Sequence, residues 1–112
     1  MEKVTIRLTG RRPVEVDDDE WPIVASAKWH DGEVEWEADR VWRLVVREHE
    51  DGRAIVYGTY STAYPGEHDR RGGEVVPAGG DIPAAIYRVA EHLGFDRRLA
   101  EEAIGDLPAE EL

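Results

Sequence analysis

The chain has no cysteine, one methionine, one phenylalanine and, among fourteen basic residues, only two lysines, Lys3 and Lys28. The missing cysteine excludes disulfides, thiol nucleophiles and thiolate metal sites, and it leaves the redox compartment unread. No apolar run approaches the roughly 20 residues of a membrane-spanning helix. The opening Met-Glu-Lys lacks the apolar core of a signal peptide, so a soluble cytoplasmic protein is expected. There is no HExxH, no paired-histidine spacing and no nucleophile elbow. Gly79-Gly80 precedes a helical pattern, but Asp81 follows directly and would fill the position a phosphate needs. No enzyme, cofactor or metal is expected.

What the chain has in excess is negative charge, 25 carboxylates in 112 residues for a net −11. Residues 15–39 carry ten of them (Glu15, Asp17, Asp18, Asp19, Glu20, Asp31, Glu33, Glu35, Glu37 and Asp39) against one base, Lys28, a net −9 for that segment. Such a field attracts basic partners and repels nucleic acid and anionic membranes. At 41% hydrophobic residues with four tryptophans the chain is expected to fold. The expectation is a single globular domain over 1–105 with an acidic tail over 106–112. Arginine-rich, lysine-poor composition beside many acids also fits an ordinary domain adapted to salt.

The expected architecture is α+β: an antiparallel sheet of four to five strands, one short helix in the N-terminal half and two C-terminal helices. Val4, Ile6 and Leu8 alternate with polar residues, and a turn over 10–13 leads to Val14-Glu15-Val16, so an N-terminal hairpin is expected. The aspartate run before Trp21-Pro22-Ile23 predicts a short helix from Asp18 or Asp19, closed at His30-Asp31-Gly32. Glu33 to Ala38 alternates strictly, predicting a strand with Glu33, Glu35 and Glu37 outward and Val34, Trp36 and Ala38 inward.

Val41–His49 and Arg53–Ala63 read as a hairpin around Asp51-Gly52. A two-residue turn there would oppose Glu50 to Arg53, Val46 to Tyr57, Leu44 to Thr59 and Arg43 to Tyr60. Residues 64–80 read as one long loop in which only Glu74-Val75-Val76 could add a strand. Asp81 caps a helix with stripe Ile82, Ile86, Val89, Ala90 and Leu93, ended by Gly94, and a second helix runs from Asp96 to Gly105 over Leu99, Ala103 and Ile104.

Two candidate surfaces follow. The first is acidic. Glu33, Glu35, Glu37 and Asp39, supported by Asp17, Asp18, Asp19 and Glu20, would place carboxylates about every 6.6 Å along a strand, comparable to a phosphate backbone. Helix capping accounts for much of the Asp17–Glu20 group. The second is basic: Arg43 and Arg47 beside Tyr60, with Arg70 and Arg71 in the long loop, residue types common at interface hot spots. The favoured reading of these arginines is internal, paired with the acidic segment or stacked on Tyr60, which would neutralise part of the field within the fold. His30-Asp31, His49-Glu50 and His68-Asp69 set imidazoles beside carboxylates without metal-ligand spacing, and His92 reads as a boundary residue.

Trp42-Arg43-Leu44, His49 to Arg53, Tyr57-Gly58, Asp69 to Glu74 and Pro77 to Ile82 together resemble small proteins carried by bacterial prophages and conjugative elements. These include small, acidic, single-domain anti-CRISPR inhibitors, to which the chain is similar in size, charge and type. The resemblance implies a mobile-element origin and carries over no functional residue. The leading expectation is an acidic inhibitor occupying a basic nucleic-acid-binding protein or complex, such as a Cas effector, with no direct contact to nucleic acid or membrane. An accessory or assembly module of a mobile element, monomeric or dimeric, is the alternative.

Overall fold

In a computed structural model describing residues 2–110, two antiparallel sheets and two helices follow one another along the chain. Strands β1 (Lys3–Ile6) and β2 (Val14–Asp17) form an N-terminal hairpin, as their alternation requires. A meander of four strands follows in the order β3 (Ile23–His30), β4 (Arg40–Glu48), β5 (Ala54–Thr62) and β6 (Arg70–Val76). Helices α1 (Ile82–Leu93) and α2 (Arg97–Gly105) complete it.

The meander is sandwiched. Leu44, Val46, Ala54, Val56 and Val76 point to one face and pack against Ile86, Val89, Leu93, Leu99 and Ala103 of the helices. Ile55 and Val75, one residue out of phase, point to the other face and pack with Ile6, Leu8, Val16 and Trp21 from the hairpin and its exit. The period-2 pattern of strands thus feeds two apolar layers. Both helices begin and end where their signals place them. The Asp81 carboxylate accepts from the Ala84 amide at 3.0 Å, and Gly94 closes α1 in the left-handed conformation at φ 71°. The Asp96 carboxylate accepts from the Arg98 amide at 2.8 Å. Each such cap stabilises its helix by about 1 kcal/mol.

Four expectations are corrected. The segment after the aspartate run is strand β3 rather than a helix: Glu20 and Trp21 amides both donate to the Asp17 carbonyl in a tight turn, and β-branched Ile23 and Val24 then enter the sheet. Ala25 and Ala27 are buried between exposed Ser26 and Lys28, a strand period. Residues 33–38 are not a strand. No neighbouring strand satisfies their backbone; a 3₁₀ turn over Glu35–Glu37 does so locally.

The long loop is shorter than expected because Arg70–Gly73 joins Glu74-Val75-Val76 in β6. The two glycines are there for close packing: a Cβ on Gly72 would lie 2.6 Å from Thr9 Oγ1, and one on Gly73 would lie 2.6 Å from the Val56 carbonyl oxygen. The β4–β5 register is one residue off the expected pairing, with Val46 opposite Val56, Leu44 opposite Gly58, Arg43 opposite Thr59 and Trp42 opposite Tyr60. The cause is a three-residue loop, Glu50-Asp51-Gly52, closed by Gly52 N–H to the His49 carbonyl with Gly52 at φ 94°.

Each outer edge of the meander carries a contact from outside the sheet at one residue. On β3 the Ser26 amide donates to the Asp106 carboxylate at 2.9 Å. On β6 the Gly73 carbonyl accepts from the Thr9 amide, and its N–H donates to Thr9 Oγ1. Each contact satisfies that residue's outward backbone group locally. Of the stretch expected as a tail, Asp106 therefore belongs to the fold and Leu107 packs against the core, while residues 111–112 lie outside the described residues.

Candidate acidic turn and the distribution of charge

The connection between β3 and β4 gathers the acidic residues that the sequence singles out. Asp31 closes it: its Oδ1 accepts from the Asp39 and Arg40 amides at 2.9 and 3.1 Å, and its own amide donates to the Arg40 carbonyl. The residues between are forced into a compact turn. Glu33, Glu35, Glu37 and Asp39 remain neighbours, on a curved turn instead of a straight row. Lys28 donates to both carboxylate oxygens of Glu35 at 3.1 and 3.0 Å. Among the described residues Glu33, Glu37 and Asp39 have no ion-pair partner. Trp36, expected inward, is 83% exposed. It is the one tryptophan left outside the fold: Trp21 is buried, and Trp29 and Trp42 are half-buried against the core.

The base of this turn is held by a polar cluster that sequence reasoning missed. Glu67 accepts from Arg40 Nε and Nη2, Tyr60 OH and Thr62 Oγ1 at 2.6 to 3.2 Å. Arg40 also stacks on Tyr64 at 4.1 Å, and the Ala63 amide donates to the Asp39 carbonyl. The hydrogen bonds from Arg40, then Thr62 and Tyr60, lower the Glu67 carboxyl from 4.5 to about 2. Because the folded value lies below the unfolded one, this stabilisation is complete above pH 4.5 and is lost as pH falls toward 2. In Glu67→Gln, stability measured by thermal denaturation should fall less steeply between pH 4.5 and 2 than in wild type. An identical acid limb would show that the cluster is not formed in solution.

The Asp17–Glu20 group splits. Asp17 is buried, with Lys3 at 3.8 Å and its Oδ1 unpartnered. Asp18 accepts from Arg47 at 2.7 Å. Asp19 and Glu20 face solvent without an ion-pair partner among the described residues and line an open notch of about 450 Å³ with Pro22, Val24, Glu48, His49 and Glu50. This notch and the Trp36 turn lie at opposite ends of β3, about 23 Å apart at 3.3 Å per residue. The acidic field is therefore two poles, not one row.

The basic candidates do not form one surface. Arg47 is buried beneath the N-terminal hairpin, donating to Asp18, Tyr57 OH and the Trp21 carbonyl. Tyr60 points to the helix face, 5.3 Å from Trp42, with Arg70 stacked on it at 4.4 Å and donating to the Leu93 carbonyl. Arg43 and Arg71 alone of that set remain exposed on the face opposite the helices. The histidines are dispersed: His30 contacts the Gly32 carbonyl, and His49 lies beside Asp51 and Trp21. Among the described residues no three His, Asp or Glu converge in a metal-binding arrangement, and no helix is long and apolar enough to cross a membrane. No family model, curated protein or solved structure matches the chain.

Proposed function

We propose that this protein is a non-enzymatic acidic inhibitor that occupies the nucleic-acid-binding surface of a host complex, anti-CRISPR-like in mode, and that the Trp36 turn makes the central contact. One observation carries the reading: a tryptophan 83% exposed at the tip of a turn bearing Glu33, Glu37 and Asp39. Tryptophan is the residue type most enriched at binding hot spots, and unpaired carboxylates around it steer it toward lysine and arginine. A basic surface built for phosphates supplies both the charge and the long apolar stems on which an indole stacks. The notch at Asp19, Glu20, Glu48 and Glu50 extends the same electrostatic attraction to a second point.

Affinity capture from host lysate at low and then high salt, followed by competition with nucleic acid, tests this. A nucleic-acid-binding complex should be retained at low salt and released by the competitor. Trp36→Ala should weaken capture at least about 30-fold, the loss of a hot-spot anchor, while the stability of the single chain, measured at a concentration where it is monomeric, stays within about 0.5 kcal/mol because the side chain is 83% exposed. Equal capture by Trp36→Ala and by a Glu33→Gln, Glu35→Gln, Glu37→Gln triple variant would overturn the proposal.

A further inference from the structure

The face of the meander away from the helices carries a line of cations across the strands. Lys28 is directly opposite Arg43, Arg43 opposite Thr59, and Thr59 opposite Arg71. Arg7, just past β1, joins Arg71, Thr59 and Tyr57 around a shallow hollow of about 200 Å³. Eight of the fourteen bases have an ion pair among the described residues. Arg7, Arg43 and Arg71, like Arg11 and Arg12 in the first turn, have neither an ion pair nor a side-chain hydrogen bond there, but only Arg43 and Arg71 stand in a row across the sheet, with Arg43 directly opposite the like charge of Lys28. This face has the features of a surface whose counter-charge arrives from another molecule.

We propose that the occupant is a second copy of this chain, whose Trp36 turn docks on the Arg43–Arg71 row while its own row receives the first copy's turn. The chemistry is complementary on the page: the row offers exposed guanidinium groups, and the turn offers an exposed indole with Glu33, Glu37 and Asp39. Lys28 and Glu35 already show the pairing within one chain, at 3.0 Å. That contact also places turn and row side by side, so a two-fold axis beside β3 satisfies both at once and closes the assembly as a dimer. Arginine over an aromatic ring is a contact this chain uses repeatedly, as in Arg40 on Tyr64 and Arg97 on Tyr87. A nucleic-acid strand fits less well: crossing the row brings it against Glu35 and the rest of the acidic turn, in a protein of net charge −11.

The inference uses the same turn as the proposed function but does not depend on a host partner. In the dimer the turn is covered, so a host complex must compete for it. The test uses purified full-length protein in sedimentation equilibrium at low salt, with folding checked by circular dichroism. Wild type should be a dimer. A face variant, Arg43→Glu with Arg71→Glu, and a turn variant, Glu33→Lys with Glu37→Lys, should each weaken the dimer at least about 30-fold. Mixed in equal amounts, the two should recover a heterodimer, because each turn then meets a face of opposite charge. The face variant keeps the acidic turn and should still capture the host complex, which separates failure here from failure of the proposed function. A monomeric wild type, a dimer unaffected by both variants, or a mixture that recovers no heterodimer would overturn the proposal. So would tight binding of a single-stranded oligonucleotide that the face variant abolishes.

Discussion

Arg47→Ala is expected to destabilise the protein by about 2–4 kcal/mol, a large loss for a residue of a type ordinarily found at the surface. Arg47 is 6% exposed in β4, under the N-terminal hairpin. Its guanidinium donates to Tyr57 OH at 3.0 Å, to Asp18 at 2.7 Å and to the Trp21 carbonyl at 2.9 Å. Truncation leaves that buried carbonyl without its donor and the Asp18 carboxylate without its cation, and removes an aliphatic stem from the interface between the two sheets. Asp18 is 45% exposed and can regain water, which holds the loss below that of a fully buried pair. Arg47→Met should cost less, since it keeps the stem. Urea denaturation measures both. A loss under about 0.5 kcal/mol for Arg47→Ala would mean that the hairpin is not fastened through this residue.

That an arginine of this set would pair with the acidic segment was legible in the sequence, as the Arg47–Asp18 contact shows; which arginine it would be was not. Arg43 and Arg47 stand four apart on one strand and look equivalent. What separates them is the reach of a distant element: the hairpin and the Asp17–Trp21 turn cover the sheet at Arg47 and stop short of Arg43. The Asp18–Arg47 contact spans 29 residues, and no local pattern announces it. Glu67 escapes for the same reason, since its partner Arg40 lies 27 residues away and its loop has no periodicity.

Local signals did better where one physical cause dominated. The capping Asp81, an apolar stripe and a terminal glycine agree on α1, and the structure follows them. Two causes competed at residues 17–30, where acids before Pro22 favour a helix start while Ala25 and Ala27 alternate with Ser26 and Lys28. The sheet won because β4 offers a partner to Ile23 and, past an irregularity at Val24, to every residue from Ala25 to His30. At residues 33–38 strict alternation misled because a strand needs a neighbour, and Asp31 folds the segment back before it can find one. The acidic cluster itself was legible from composition; its curvature and the exposure of Trp36 were not.

Leu99→Ala is expected to cost about 2–5 kcal/mol, the range for a large aliphatic side chain removed from a site that cannot collapse. Leu99 is fully buried in α2 between α1 and the sheet. At nine residues α2 is too short to persist alone and depends on this packing. Its docking also guards the edge of β3: Glu102 accepts from Trp29 Nε1 at 2.8 Å, and Asp106 at its C-terminus accepts from the Ser26 amide. Loosening α2 therefore uncovers a strand edge as well as a cavity. Hydrogen exchange of the variant should show the Ser26 amide and the α2 amides losing protection together, ahead of the β4 and β5 amides, because a single local opening releases both. If Leu99→Ala cost less than about 1 kcal/mol, or if Ser26 kept its protection while α2 lost it, the helix would not be the clamp on that edge.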